Sequence, residues 1–198
     1  MNYIEFAKNL ERLRLGVFTT NDAIRIVGKP RNYVNLFLYR LSKRGLITRV
    51  SKNRYALGGV SKLELAYALA KNGYISTLSA LFYYNLINQD PNSVDVVNTI
   101  ASKKKTLNGE FGSMQVRLVK LSPERLFGYR RVLGDVSYFL IAEPEKAIAD
   151  TLYIYKGTYA GLCSEAVKRG VNTALLKAYA ERMHSKKLVE LLNGVLNA

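Results

Sequence analysis

Between Asp22 and Glu64 the chain carries no acidic residue, while Arg25, Lys29, Arg31, Arg40, Lys43, Arg44, Arg49, Lys52, Arg54 and Lys62 all fall inside that stretch. This is not the composition of a disordered basic tail, because the apolar residues keep a regular spacing. Val34, Phe37, Leu38 and Leu41 stand at i, i+3, i+4 and i+7, the pattern of one buried stripe on an α-helix. At about 100° per residue the opposite face holds Asn32, Leu36, Tyr39 and Lys43, flanked by Asn35 and Arg40, with Arg31 at the helix start. The stretch must therefore fold into a surface of one charge sign, whereas ordinary soluble surfaces mix signs.

The punctuation around this helix, expected at about 31–44, fixes its neighbours. Ile4, Ala7, Leu10 and Leu13 recur at helical spacing and predict a first helix ending near Gly16. Thr19, Thr20 or Asn21 can cap a short second helix over "DAIRIV", and Gly28 suits its left-handed exit. Pro30 then restarts the chain, since its missing N–H is tolerated at a helix opening. After Gly45, the β-prone "LITRV" and "RYAL" flank "SKN", which predicts a hairpin with a basic tip at Lys52 and Asn53. Helix, short helix, helix and basic hairpin is the order of a winged helix-turn-helix. Amides, a phenol and cations on the outer face of the third helix suit base edges and phosphates. The expected DNA-binding residues are Thr20, Arg31, Asn32, Asn35, Tyr39, Arg40, Lys43, Arg44, Arg49, Lys52, Asn53 and Arg54. For Tyr39, as for Leu36, a second reading stands beside this one, in which the side chain packs beneath the wing.

The charge distribution agrees. Residues 1–58 hold 12 Lys or Arg against 3 Asp or Glu, and residues 59–198 hold 18 against 12, so most of the formal +15 lies at the front. Such asymmetry implies a polyanionic partner. Hydrophobic residues make up 48% of the 198, enough for a packed core. Runs such as "ALFYYNLI" are far shorter than the roughly 20 residues of a membrane span, and "MNYIEFAKNLERLRL" lacks the basic-then-apolar order of a signal peptide. A cytoplasmic protein is expected. A single cysteine, Cys163, and a single histidine, His184, far apart in sequence, give no disulfide framework and no zinc-ligand spacing, so neither metal nor cofactor is implied.

Beyond Gly58–Gly59 the pattern changes. Helices are expected over Leu63–Lys71 and from Ser76 or Thr77 through "LSALFYYNL". The β-prone runs "VDVVNTI", "MQVRLVK", "GYRRVL" and "VSYFLIA" predict a sheet. Pro144 opens another helix, "EPEKAIADTLYIY", and the last 30 residues read as one or two amphipathic helices. The expected fold class is α+β. An N-terminal winged helix-turn-helix over 1–58 is followed by a mixed α+β C-terminal domain over 59–198.

A winged helix ending in "RLSKRGLITRVSKNRYAL", then "ISTLSALFYYNL", then a β-rich stretch closed by "IAEPEKAIADTLY", resembles the AbiEi family of transcriptional regulators, the antitoxins of type IV toxin–antitoxin pairs. The likeness runs through about residues 15–155. It implies an N-terminal domain that binds operator DNA and represses its own operon. It also implies a C-terminal domain that counteracts a toxin of nucleotidyltransferase fold. Inverted-repeat DNA would be met by two copies of the chain related by a two-fold axis. The rival is a plain one-component regulator whose second domain binds a small ligand or mediates oligomerisation.

No enzyme is expected. Glu143, Glu145 and Asp150 read as carboxylates at a helix start and on its outer face. Asp135 is followed two residues later by Ser137 rather than by a second carboxylate, so two-metal phosphoryl chemistry would lack a ligand. Lys103, Lys104 and Lys105 beside Thr106 read as an exposed loop with no glycine-rich phosphate cradle. Cys163 and His184 have no catalytic company in the sequence.

Overall fold

The structure, a computed structural model, describes residues 2–70, 73–109 and 112–198, without the side chains of 108, 109 and 112. The fold is mixed α+β, with a helix-turn-helix-like region and small sheet at the N-terminus and an α/β part after it. Two compact units divide it. The first joins Met1–Leu69 to Thr106–Met114 and Leu133–Phe139; the second joins Ala70–Lys105, Gln115–Val132 and Leu140–Ala198.

In the first unit the order is α1 (Tyr3–Arg12), β1 (Val17–Thr19), α2 (Thr20–Val27), α3 (Arg31–Lys43), β2 (Ile47–Ser51), β3 (Arg54–Leu57) and α4 (Lys62–Leu69). The α1 stripe is rotated from the expected one. Phe6, Ala7 and Leu10 are buried, while Ile4 and Leu13 are exposed. The larger Phe6 claims the core, meeting Phe18 and Phe37 edge-on at 5.5 and 5.3 Å, a favoured aromatic geometry. The three-residue strand β1, too short to show a period, makes the hairpin a three-stranded sheet in the order β1-β3-β2. Its register sets Val17 opposite Ala56 and Ile47 opposite Leu57.

Glu64 closes this unit. Its carboxylate completes a capping box at the start of α4, accepting from the Ser61 N–H (2.8 Å) and hydroxyl (2.7 Å). It also accepts from the backbone N–H groups of Val136 (2.9 Å) and Ser137. The Ser137 hydroxyl in turn accepts from the Gly16 N–H at 2.8 Å. Burial opposes ionisation of Glu64, but the bonds from Ser61, Ser137 and Val136 outweigh it and hold its carboxyl below the usual range.

The second unit holds most of a six-stranded sheet, in the order β6-β7-β5-β4-β9-β8, with β4 (Gly73–Ser76), β5 (Ser93–Asn98), β6 (Lys103–Gly109), β7 (Gly112–Lys120), β8 (Tyr129–Leu133) and β9 (Tyr138–Ala142). β4 runs antiparallel to β5 and parallel to β9, and β5 runs parallel to β7. Its helices are α5 (Thr77–Tyr83), α6 (Pro144–Ile154), α7 (Ala160–Lys168), α8 (Thr173–Arg182) and α9 (Lys186–Leu196). Lys103–Lys105 belong to the edge strand β6 rather than to a loop; lysines on an edge deter pairing with other chains. Of the helix expected over Leu63–Lys71, α4 covers the part to Leu69, and Lys71 lies outside the described residues.

The carboxylates of α6 are not on an outer face. Glu145, Lys146 and Asp150 are buried, because α6 is covered by α5, α8 and α9 as well as by β4. Asp150 accepts from the Ser76 hydroxyl (2.7 Å), the Tyr74 hydroxyl (3.0 Å) and Lys146 Nζ. Asp95 accepts from Thr77 (2.8 Å), Tyr155 (2.7 Å) and both Nε and Nη2 of Arg117. Burial, reinforced by the Asp150 charge, pushes the Tyr74 phenol far up. Burial likewise raises the Cys163 thiol to about 12, so it stays protonated at neutral pH.

Replacing Glu64 tests the closure of the first unit. A group whose folded-state pKa is depressed stabilises the fold above its unfolded value and loses that contribution as pH falls through the folded one. Glu64→Gln is expected to lower stability at pH 7 by roughly 1–3 kcal/mol, the cost of poorly satisfied buried groups. Its unfolding free energy should also fall less steeply than the parent's as pH drops below about 4.5, as read by denaturant titration across pH.

Candidate nucleic-acid interface

The start of α2 is built by a second capping box. The Thr19 Oγ1 accepts from the Asp22 N–H at 3.2 Å, and the Asp22 carboxylate accepts from the Thr19 N–H (2.8 Å) and hydroxyl (2.7 Å). Thr19 is thus the cap among the three candidates. Gly28 ends the helix at φ 66°, where a Cβ would be strained. Pro30 stands immediately before Arg31 and the chain turns into α3.

α3 buries Val34, Leu38 and Leu41 and half-buries Phe37. Its outer face is open: Leu36 is 48% and Tyr39 57% exposed, so neither packs beneath the wing. Asn32, Asn35, Arg40, Lys43 and Arg44 are exposed beside them. The Lys43 ammonium lies 5.8 Å from the Tyr39 ring centre, within cation–π range. Tyr33, which the sequence reading passed over, is 51% exposed on the flank; its spacing of three from Leu36 is the signal that marks it.

The wing returns to the same region. Lys52 and Asn53 form its turn, and Asn53 takes φ 60°, a left-handed conformation that asparagine tolerates better than most residues. The Asn53 carbonyl accepts from the Thr20 N–H at 3.1 Å, which seats the wing tip on the start of α2. Arg49 and Lys52 are exposed. Arg54 is half-buried, and its guanidinium donates to the Ala68 carbonyl of α4. Arg31 Nη2 donates to the Asn21 Oδ1 at 2.6 Å.

These contacts leave a cleft of about 220 Å³ lined by Thr19, Thr20, Asn21, Arg31, Lys52, Asn53 and Arg54. Arg31 and Lys52 line it beside the positive end of the α2 dipole, an arrangement suited to an anion, while Arg54 is held by the Ala68 carbonyl. The Thr20 hydroxyl is buried there and has no hydrogen-bond partner among the described residues. Of the twelve expected residues, five (Thr20, Arg31, Lys52, Asn53 and Arg54) line this cleft. Asn32, Asn35, Tyr39, Arg40, Lys43, Arg44 and Arg49 are exposed on α3, at its end or on the wing. Asn21 was missed because an asparagine in a run of cap residues reads first as a cap.

A basic helix-turn-helix-like module with an exposed helix face and a hairpin beside it defines this part of the chain as nucleic-acid-binding in form. Residues 5–58 match the family model described as transcriptional regulator, AbiEi antitoxin, so the resemblance read from the sequence is shown over this region. The later stretches "TLSALFYYNL" and "AEPEKAIADTLY" fall outside the matched residues. No curated protein matches the chain. No helix among the described residues is long and apolar enough to cross a membrane.

The two wing arginines should separate on measurement. Arg54→Ala is expected to lower unfolding free energy by roughly 1–3 kcal/mol, because it removes a charge-assisted bond that ties β3 to α4. Arg49→Ala, fully on the surface, should stay within about 0.5 kcal/mol of the parent in the same denaturant titration.

Proposed function

We propose that the chain is a cytoplasmic, DNA-binding transcriptional repressor that autoregulates its operon and serves as antitoxin to a nucleotidyltransferase-fold toxin encoded beside it. In this reading residues 1–58, a winged helix-turn-helix, carry operator binding, and residues 59–198 carry the antitoxin activity. The protein is not an enzyme. The observation that carries the reading is the joint surface of α3 and the wing: exposed amides and cations without a single acid, in a region matched by AbiEi antitoxin regulators. Asn32 and Asn35 near the start of α3 face base edges, and Arg40, Lys43, Arg44, Arg49 and Lys52 hold phosphates. The cleft at the start of α2 seats one further phosphate between Arg31 and Lys52. Two copies meet the two halves of an inverted repeat.

The second reading, a one-component regulator without a toxin, draws on two clefts of about 350 and 400 Å³ that share Lys187 and Leu191 of α9, each large enough for a small ligand. The neighbouring gene and a rescue experiment separate the two.

Binding to the chain's own upstream DNA should weaken with salt at a slope of log K against log[salt] near −4 to −7, as expected for about 5–8 phosphate contacts. Arg49→Ala and Lys52→Ala should each flatten that slope by about one unit. In cells expressing the adjacent toxin, the full-length Arg49→Ala/Lys52→Ala protein should lose operator occupancy and still restore colony formation. A salt-independent affinity would sink the DNA-binding reading. Failure of the parent protein to restore growth would leave the plain regulator.

A further inference from the structure

The exposed α3 face carries two large apolar side chains, Leu36 and Tyr39, beside Asn32 and Lys43. Leu36 and Tyr39, 48% and 57% exposed, occupy the middle of the helix surface, with Tyr33 on the flank and Asn32 and Asn35 toward the helix start. Of the residue types that read guanine, arginine stands at the margins, and the one lysine of α3, Lys43, lies in its last turn with its ammonium 5.8 Å from the Tyr39 ring centre. Arg31 is drawn toward α2 by its bond to Asn21, and Arg40 lies to the side of Leu36. No carboxylate is present on α3 to accept from cytosine N4. In the major groove, thymine is marked by its C5-methyl group and adenine by the N6–N7 pair that an asparagine amide matches.

We infer that this face reads A·T pairs, with Leu36 and Tyr39 against thymine methyl groups and Asn32 and Asn35 on the adenine edges. The inference rests on the DNA-binding reading above and adds the base class of the operator. Charge complementarity selects duplex DNA as the occupant of this face: Lys43 on it and Arg40, Arg44 and Arg49 beside it would repel a second copy of the same surface.

The test uses the full-length chain and duplexes that it selects from a random pool. The tightest duplex is resynthesised with deoxyuridine for each thymidine under α3, which removes only the 5-methyl group. Selected half-sites should carry A·T pairs there. Each methyl removed should weaken the parent protein about fourfold, the worth of one buried methylene. For Leu36→Ala/Tyr39→Ala the affinities for the two duplexes should converge. Half-sites with G·C pairs at these positions, or equal binding of thymidine and deoxyuridine duplexes by the parent, would overturn the inference while the DNA-binding reading stands. Absence of binding to any duplex would overturn both. Self-association of the parent in sedimentation without DNA, abolished by Leu36→Ala, would assign the face to a second copy and overturn it as well.

Discussion

The Glu64 carboxylate holds the wing sheet from both ends. Through the Ser61 capping box it fixes the start of α4, and the last turn of α4 presents the Ala68 carbonyl to Arg54 of β3. Through Ser137 it reaches the Gly16 N–H, and the Gly16 carbonyl receives the Leu57 N–H. One buried acid therefore sets where β1 enters and where β3 leaves. A carboxylate suits this task better than an amide because it accepts only, and all the groups around it are donors. A neutral acceptor of the same shape would meet the same donors with weaker bonds.

Two other buried acids organise the second unit in the same way. Asp95 is filled by a fork from Arg117 and two hydroxyls, and Asp150 by Lys146 and two hydroxyls. Thr77, which donates to Asp95, holds φ 56°, unusual for a β-branched residue and tolerated only where surroundings fix it. A lysine and an aspartate buried together resist loss of either partner more than they stabilise as a pair, since the survivor would be an unpaired charge out of water. Their contribution is to specify one arrangement of α6 against β4.

The elements legible in the sequence were those with a long period or strong punctuation. α3 announced itself by its i, i+3, i+4, i+7 stripe, α6 by Pro144, and the wing by β-prone runs around "SKN". β1, β4 and β6 were not legible: the first two span three and four residues, and β6 is a lysine-rich edge whose polarity resembles a loop. The buried Asp150 and Lys146 were hidden by a different effect. A charge on a helix is expected outside, and only the sheet and helices that cover α6 from several sides turn it inward. The same limit applies to the interface. Sequence placed the cations on one surface, while the bonds that withdraw Arg54 and orient Arg31 come from Ala68 and Asn21, whose roles depend on the fold.

That difference among cations bears on why the face persists at all. Arg54 contributes to the fold through the Ala68 carbonyl, whereas the side chains of Arg40, Arg44, Arg49 and Lys52 make no ion pair or hydrogen bond among the described residues. Like charges gathered within a Debye length of about 8 Å repel one another and add nothing to folding. A polyanion removes that repulsion, and in so far as it binds the folded arrangement more tightly than the unfolded chain, the difference adds to stability by mass action. The acid-free surface is therefore a cost carried by the isolated chain and recovered in a complex. That accounts for a strongly basic sequence pattern around an otherwise ordinary apolar core.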